Sequence, residues 1–550
     1  MTSLFLNEER GGQMDRPWIK HIPSGNPIEI EIPEISLTEL FFQSVEQYLD
    51  NTAVTFMEKR YTYSELGKLV KKCARLLADE GIGKGDRVAI MLPNCPQYPI
   101  GFFGTLLNGA IVVQINPMYK ANELMYVLKD SGARHIIVLD DLLPIVEAVI
   151  AETDVEKVLS VSLEKGKCEM TKKLLSVTEA DFTVEIEPAR DVAVLQYTGG
   201  TTGRSKGAML THRNIVANTL QSAATSRINT QKGKERVLGV SPLFHVYGMT
   251  SGMNLTFYNG GELILVSRFQ VTEIVDIITN LKPTIFPGVP TMYIALLQYY
   301  QSHPFDLHTL TSCVSGSSPL PLHVLSRFNE LSGTKIAEGY GLSEASPVTH
   351  RNPVSGLQKP GSIGIPIQNT DAAIIDSITG EPALLVDTPG ELVIKGPQVM
   401  KGYWNRPDET EKTFKNGWLL TGDLGYMDEQ GFFYVVERKK DTIIAGGFNI
   451  YPREVEEVLY EHEAIQEVVV AGIPDPYRGE TVKAYVVLKK NAKVTEEELN
   501  EFARKNLASY KVPRSYEFRD ELPKTTIGKI LRRVLIEEEK KKISEERKEA

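Results

Sequence analysis

Apolar residues recur along this chain at two spacings. Between residues 61 and 81 they fall at helical intervals (Leu66, Val70, Ala74, Leu77), with Ser64 standing as N-cap and a glycine closing the run. A short apolar run, DRVAIML, follows and predicts a buried strand. The pair repeats at residues 121–140, where ANELMYVLKDSG predicts a helix and RHIIVLD a strand. Later come DVAVLQY, a helix from Thr211 to about Thr225, GELILVS, the helix VTEIVDIITNL, and TIFPGV. Strands alternating with helices of this length predict an α/β fold with parallel-type sheets covered on both faces.

The texture changes at about residue 361. Up to about 436, strand-like runs such as DAAIID, GELVIKG and GFFYVVE lie between Gly and Pro turns and predict a smaller β-rich part. Beyond Asp441 the order becomes helix, strand, strand, helix, strand, helix, enough chain for a separate small α+β domain. The mixed-charge tail, residues 531–550, reads as a solvated helix face. No internal repeat is visible.

Residues 88–119 carry no charge and are long enough to span a bilayer. They also hold Pro93, Asn94, Pro96, Gln97, Pro99, Asn108 and Gln114, which a lipid-facing helix would not carry together, so the run reads as strand, loop, helix and strand. At 550 residues, 42% hydrophobic and 24% charged, the chain has ordinary globular composition and exceeds one hydrophobic core. A formal net charge of −10 argues against a nucleic-acid partner. Cys73, Cys95, Cys168 and Cys313 show neither CxxC spacing nor disulfide density, so a reduced, cytoplasmic protein without structural zinc is expected. Glu8 and Glu9 precede any apolar run, so no signal peptide is expected. No basic amphipathic anchor is evident; peripheral contact at the inner membrane face stays open, as does a homodimer.

The segment richest in chemistry is YTGGTTGRSKG, residues 197–207, expected between a strand and the helix from Thr211. Glycines let backbone N–H groups approach an anion, threonine hydroxyls donate further bonds, and Lys206 adds charge. It is not a Walker A loop, because Arg204 and Ser205 stand where that motif needs glycine and lysine. A plain strand–helix connector is the alternative for the loop alone.

The loop is similar to the phosphate-loop signature of the adenylate-forming superfamily, which includes acyl-CoA synthetases, aryl-CoA ligases, luciferase and peptide-synthetase adenylation domains. GYGLSEASP, GWLLTGDLG, ERKKDTIIAGGFNIYPREVE and PKTTIGKILRR follow in that superfamily's order, so the resemblance runs from about Leu37 to Arg533. Within it the chain looks most like bacterial long-chain fatty acid–CoA ligases, chiefly through RKKD followed by GFNIYP. The resemblance implies ATP-dependent activation of a carboxylic acid to an acyl-adenylate with release of pyrophosphate. Transfer of the acyl group to coenzyme A then releases AMP. It also implies a large domain, residues 1–439, and a mobile small domain, residues 440–550, hinged at Lys440.

The residue roles implied follow the motifs. Thr198, Gly199, Gly200, Thr201, Thr202, Gly203 and Lys206 would hold phosphates. Lys529 would reach the acyl carboxylate and α-phosphate, and Glu344 would ligate Mg2+, with Ser343 supplying a hydroxyl where threonine is usual. Tyr340 and Gly341, with Gly316 and Ser317 on the other side, would hold adenine. Asp423 and Arg438 would take the ribose, and Gly446 and Gly447 would let the pantetheine arm of coenzyme A pass. His245 would border the reacting carboxylate, though not as a base, since a carboxylate is already ionised at neutral pH.

The pocket sequence bears on the acid. Residues 237–261 contain no Asp or Glu that an amino-acid ammonium group would need, which favours an aliphatic or aromatic acid. Gly248 and Gly252 are expected to leave space for a chain. Met249 stands where some long-chain relatives place a gating tryptophan; methionine, apolar and adaptable, still admits a long chain, and medium-chain or branched acids stay open, so the expected substrate is a medium- to long-chain fatty acid. The same-fold alternative is an aryl-CoA ligase. A P-loop kinase, or a non-catalytic nucleotide- or lipid-binding module, is the alternative of another class.

Overall fold

The structure, a computed structural model, describes residues 15–164, 167–179, 184–198, 205–376, 388–439, 441–445, 448–475, 479–525 and 530–549. The chain forms two compact units: Arg16–Ala372 with Ile394–Leu419, and Ala373–Val393 with Leu420–Ala550. The β-rich run is thus shared, since residues 394–419 group with the first unit and residues 420–436 with the second.

The first unit contains the two α/β sheets that the alternating pattern predicts. One has seven strands, ordered Gly402–Tyr403, Lys206–Thr211, Val192–Thr198, Ile111–Gln114, Arg87–Met91, His135–Leu139, Lys157–Val161. Its pairs are parallel from Val192–Thr198 onward and antiparallel at the Lys206–Thr211 end. The other has nine strands and runs parallel from Ile336–Gly341 to Thr52–Phe56, with antiparallel strands added at both ends. The uncharged run resolves as expected into the strand Arg87–Met91, the helix Gln97–Leu107 and the strand Ile111–Gln114. A Cβ on Gly104 would lie 2.7 Å from Cys73 Cβ, so only glycine allows the helices Tyr63–Asp79 and Gln97–Leu107 to approach so closely. All four cysteines are free and buried.

Some local readings are corrected. The first long helix is capped by Thr62, not Ser64, because T-Y-S-E offers a capping box in which Thr62 and Glu65 satisfy each other's backbone N–H. The phosphate-loop segment does not run from strand directly to helix. Lys206–Thr211 is itself a strand, antiparallel to Val192–Thr198, so the segment joins two paired strands. The following helix, His212–Thr225, is capped by Thr211 and Asn214.

That helix binds the site together through a buried polar face. Asn214 Nδ2 donates to the carbonyls of Pro397 and Val399, each at 2.8 Å. Asn218 exchanges bonds with the backbone of Val348 at 2.8 and 3.0 Å, and Gln221 donates to Gln368 O at 2.7 Å. Amides at i, i+4 and i+7 thus satisfy loop carbonyls that would otherwise be buried unpaired.

In the second unit Trp418–Met427 pairs with Phe433–Arg438, placing Asp423 opposite Arg438. The hairpin Ile443–Ala445 and Phe448–Ile450, unpredicted, precedes the helix Pro452–Tyr460 and joins the long strands Ile465–Asp475 and Gly479–Leu488 in one sheet. The last helix, Arg532–Glu549, is more than a solvated face. Leu535 is buried, and Glu539 pairs with the buried Lys483 at 2.7 Å. Among the described residues, no helix is long and apolar enough to cross a membrane.

His212, at the start of the polar-faced helix, is buried and accepts a hydrogen bond at Nδ1 from Leu37 N at 3.2 Å. Burial draws its pKa down to about 4, so the folded protein holds it neutral. The neutral form's contribution is complete above the unfolded value near 6.5 and is lost as pH falls toward 4, by about 3 kcal/mol in full. Urea midpoints measured between pH 7.5 and 4.5 should therefore fall for the wild type and fall less for His212→Asn. An equal slope in both would show that His212 is not responsible.

Candidate active site

Of the candidate residues in the first unit, Lys206 and Glu344 meet at the edge of the hairpin. Thr198 ends one strand and Lys206 begins the other. Gly199, Gly200, Thr201, Thr202 and Gly203 lie outside the described residues. The hairpin's outer edge is held by Gly402–Tyr403, paired with Met209 and Ala208, and by Trp404 N donating to Gly207 O at 2.8 Å. Asp130 secures the same corner. Its carboxylate accepts from Tyr197 Oη at 2.7 Å and from Arg406 Nη2 at 2.6 Å, and its carbonyl accepts from Trp404 Nε1 at 3.1 Å. One buried carboxylate therefore has an aromatic hydroxyl and a guanidinium to offset its desolvation.

This edge brings the predicted cation and the predicted metal ligand to one aromatic ring. Lys206 Nζ lies 4.9 Å from the centroid of Tyr403, and Tyr403 Oη donates to Glu344 Oε1 at 2.7 Å. Glu344 sits in a single 3-10 turn, Ser343–Ala345, and its backbone carbonyl accepts from Met400 N at 2.8 Å. Burial and the adjacent carboxylate push the Tyr403 pKa well above the usual tyrosine range, so the hydroxyl stays a donor at neutral pH. Lys206 Nζ is meanwhile paired with Glu409 Oε2 at 2.6 Å, and this bond holds the Glu409 carboxyl below its ordinary range.

The donor set fits magnesium. Tyr403 occupies one oxygen of Glu344 and fixes the carboxylate's orientation, and a hard cation bound to nucleotide phosphates commonly takes only one or two protein carboxylates. Among the described residues, no group of three or more His, Cys, Asp or Glu side chains forms a separate metal cage.

Tyr340 pairs in register with His350 and meets its ring edge-on, with centroids 5.9 Å apart. Gly341 ends the strand beside it. Gly316 is buried, and Ser317 adopts a positive φ of 70° in the turn after the strand Ser312–Ser315. His245 is half-buried, and its Nδ1 accepts from Tyr247 N at 3.3 Å. The segment Gly248–Asn254 is a π-helix, a form often found at functional sites, and buries Met249 and Met253. The space expected beside Gly248 is filled by main chain, because a Cβ there would lie 2.1 Å from Pro242 O. Gly252 does leave open space, with nothing within 4 Å of the same position.

In the second unit, Asp423 and Arg438 are brought together as expected, with Arg438 Nε 3.1 Å from Asp423 Oδ1. Arg532 binds carboxylates on both sides of position 440: Glu437 at 3.1 Å, Asp441 at 3.4 Å, and also Glu456 at 2.8 Å. Lys440, Gly446, Gly447 and Lys529 lie outside the described residues. Sequence reasoning missed Tyr403, Glu409, Asp130, Arg406 and Arg532. The signal present for three of them was GYWNRPDE, whose aromatic pair beside an Arg-Pro turn is unlike the Gly- and Pro-bounded strands around it.

Comparison with known proteins finds matches over nearly the whole chain. The AMP-binding enzyme family matches residues 41–404, and the AMP-binding enzyme C-terminal domain matches residues 454–529. The chain is 50% identical to a long-chain-fatty-acid–CoA ligase of Bacillus subtilis, over 96% of this chain and 99% of that one. It is 39% identical to a protein of the same description from Escherichia coli, with the same shares covered. Among solved structures, ATP-bound MatB from Rhodopseudomonas palustris superposes with a TM-score of 0.85 at 30% identity, covering 92% of this chain and 99% of that one.

The Lys206–Glu409 pair gives a test of the hairpin. A nucleotide phosphate must take Lys206 from Glu409, and a part-exposed pair of this kind is worth up to about 1 kcal/mol. Glu409→Gln should therefore tighten MgATP binding about two- to fivefold by calorimetry. Unchanged or weaker affinity would mean that Lys206 does not move to the phosphates.

Proposed function

The chain belongs to the AMP-binding enzyme family, and from that premise we propose that it is an AMP-forming fatty acid–CoA ligase. ATP and a medium- to long-chain fatty acid form acyl-AMP and pyrophosphate, and coenzyme A then takes the acyl group and releases AMP. One juxtaposition supports the adenylation step above all: Lys206, Tyr403 and Glu344 converge at the strand that follows the glycine-rich segment. The fatty acid rests on the descriptions of the B. subtilis and E. coli relatives and on the uncharged stretch around His245.

In the first half-reaction a carboxylate oxygen bonds to the α-phosphorus and the bond to the β-phosphate oxygen breaks. Both reactants are anions, so the protein must offset charge and fix an in-line approach. Lys206 and the loop's N–H and hydroxyl groups hold phosphate oxygens, and Lys529 bridges carboxylate and α-phosphate. Magnesium, when bound, neutralises phosphate charge and eases departure of pyrophosphate. Glu344, oriented by Tyr403, holds that cation. Tyr340 stacks adenine, Asp423 and Arg438 hold the ribose, and His245 and Met249 border the acyl group.

In the second half-reaction the thiol sulfur attacks the acyl carbon, AMP leaves with the mixed-anhydride oxygen, and the thiol proton passes to solvent. Two sets of groups must meet one adenylate in turn, which a small domain, residues 440–550, turning at Lys440 on a large one, residues 1–439, accomplishes. Gly446 and Gly447 then admit the pantetheine arm. Arg532 is placed to steady that hinge, since Glu437 and Asp441 flank Lys440. A cytoplasmic location, with peripheral contact at the inner membrane face, is part of the same proposal.

An acid panel tests this reading: saturated acids from acetate to stearate plus benzoate and ferulate, scored by AMP release with and without coenzyme A. The expected result is coenzyme A-dependent AMP release, greatest with medium or long aliphatic acids. Greatest release with an aryl acid would overturn the fatty-acid assignment.

A further inference from the structure

The strand Val348–Arg351 ends on an arginine that is only 8% exposed. Among the described residues its guanidinium forms no hydrogen bond and no ion pair, and its Nε is shielded from solvent and unpaired. A buried guanidinium is costly to leave in this state, because it keeps its charge and carries donors in a rigid fork. The contrast within the same chain is Arg532, whose fork meets three carboxylates. Burial draws the Arg351 pKa down from the usual arginine range, with Tyr247 as the neighbouring group that opposes the shift.

The side chain lies beside Gly339 and Tyr247. Arg351 is in register with Gly339, and a Cβ on Gly339 would lie 3.8 Å from Arg351 Cγ. A Cβ on Gly316 would lie 3.5 Å from the Tyr247 ring and 3.8 Å from Gly339 O. The two glycines thus leave methyl-sized room beside Tyr247 and Arg351. Tyr340, the next residue along, points to the opposite face, where it meets His350. Tyr247 belongs to the His245 loop that leads into the π-helix of Met249. Gly341 lies two positions along the strand from Gly339, toward the turn that carries Glu344, so Arg351 stands about 7 Å up the strand from Gly341.

We propose that Arg351 binds a second carboxylate on the acid substrate, so that the enzyme activates medium-chain dicarboxylic acids. The guanidinium fork matches a carboxylate with two parallel hydrogen bonds, and burial of the side chain strengthens both. A monocarboxylic acid bound there leaves the arginine unpaired. This inference rests on the reading that the chain activates aliphatic acids.

The test compares kcat/KM for coenzyme A-dependent AMP release with adipate, suberate and sebacate against octanoate and decanoate. Arg351→Met should lower the value for the diacids at least tenfold, mainly through KM, and raise it for the monoacids. Arg351→Lys should retain part of the diacid activity, and Tm should hold or rise in Arg351→Met because an unpaired buried charge is removed. Should Arg351→Met fail to fold, the diacid KM of Arg351→Lys must still rise while its monoacid KM does not. The inference is overturned if the wild type releases AMP with decanoate and with no diacid, or if substitution changes both acid classes by one factor. Either result leaves the ligase reading intact, whereas no AMP release with any acid defeats both.

Discussion

A two-residue strand holds the chemistry of this protein in place. Gly402 and Tyr403 pair with Met209 and Ala208, on the strand that leaves the phosphate loop. Without that pairing the Tyr403 ring would not lie beside Lys206, nor its hydroxyl against Glu344. The outer edge of the hairpin gives the site a fixed cation and an oriented carboxylate. Asp130 reinforces the arrangement from the far side, through Tyr197 on one strand of the hairpin and Arg406 just beyond its partner.

Charge is managed by local exchange. Lys206 is paired with Glu409, Asp423 with Arg438, and Arg532 with three carboxylates. Lys206 and Asp423, both expected to meet nucleotide, are thus each paired with a counter-charge. Such pairs contribute little net stability when part-exposed, but they reduce the conformational freedom that binding must remove. Arg351 departs from this pattern, since its counter-charge is not supplied by the described chain.

Much of this was legible beforehand. The helix VTEIVDIITNL appears at Val271–Leu281, and the alternation of strand and helix produced both α/β sheets of the first unit. The motifs drew attention to Glu344 and Asp423 because each stands in a short local signature, GYGLSEASP and GWLLTGDLG. What stayed hidden depends on contacts between distant segments. Tyr403 and Glu344 are 59 positions apart, and Asp130 and Arg406 are 276 apart. The strand Lys206–Thr211 was hidden for another reason: KGAMLT is too short to announce a period, and its partner strands define it. Ser64 was preferred to Thr62 because single-residue capping preference ignores the reciprocal bond that Glu65 makes.

The central claim is that the acid's own oxygen attacks the nucleotide's α-phosphorus. Its most direct measurement uses decanoate labelled with 18O in both carboxylate oxygens, with MgATP and coenzyme A, and mass analysis of the products. The account predicts one 18O in the recovered AMP and none in the pyrophosphate. Unlabelled AMP, or label carried into a cleaved terminal phosphate, would contradict it.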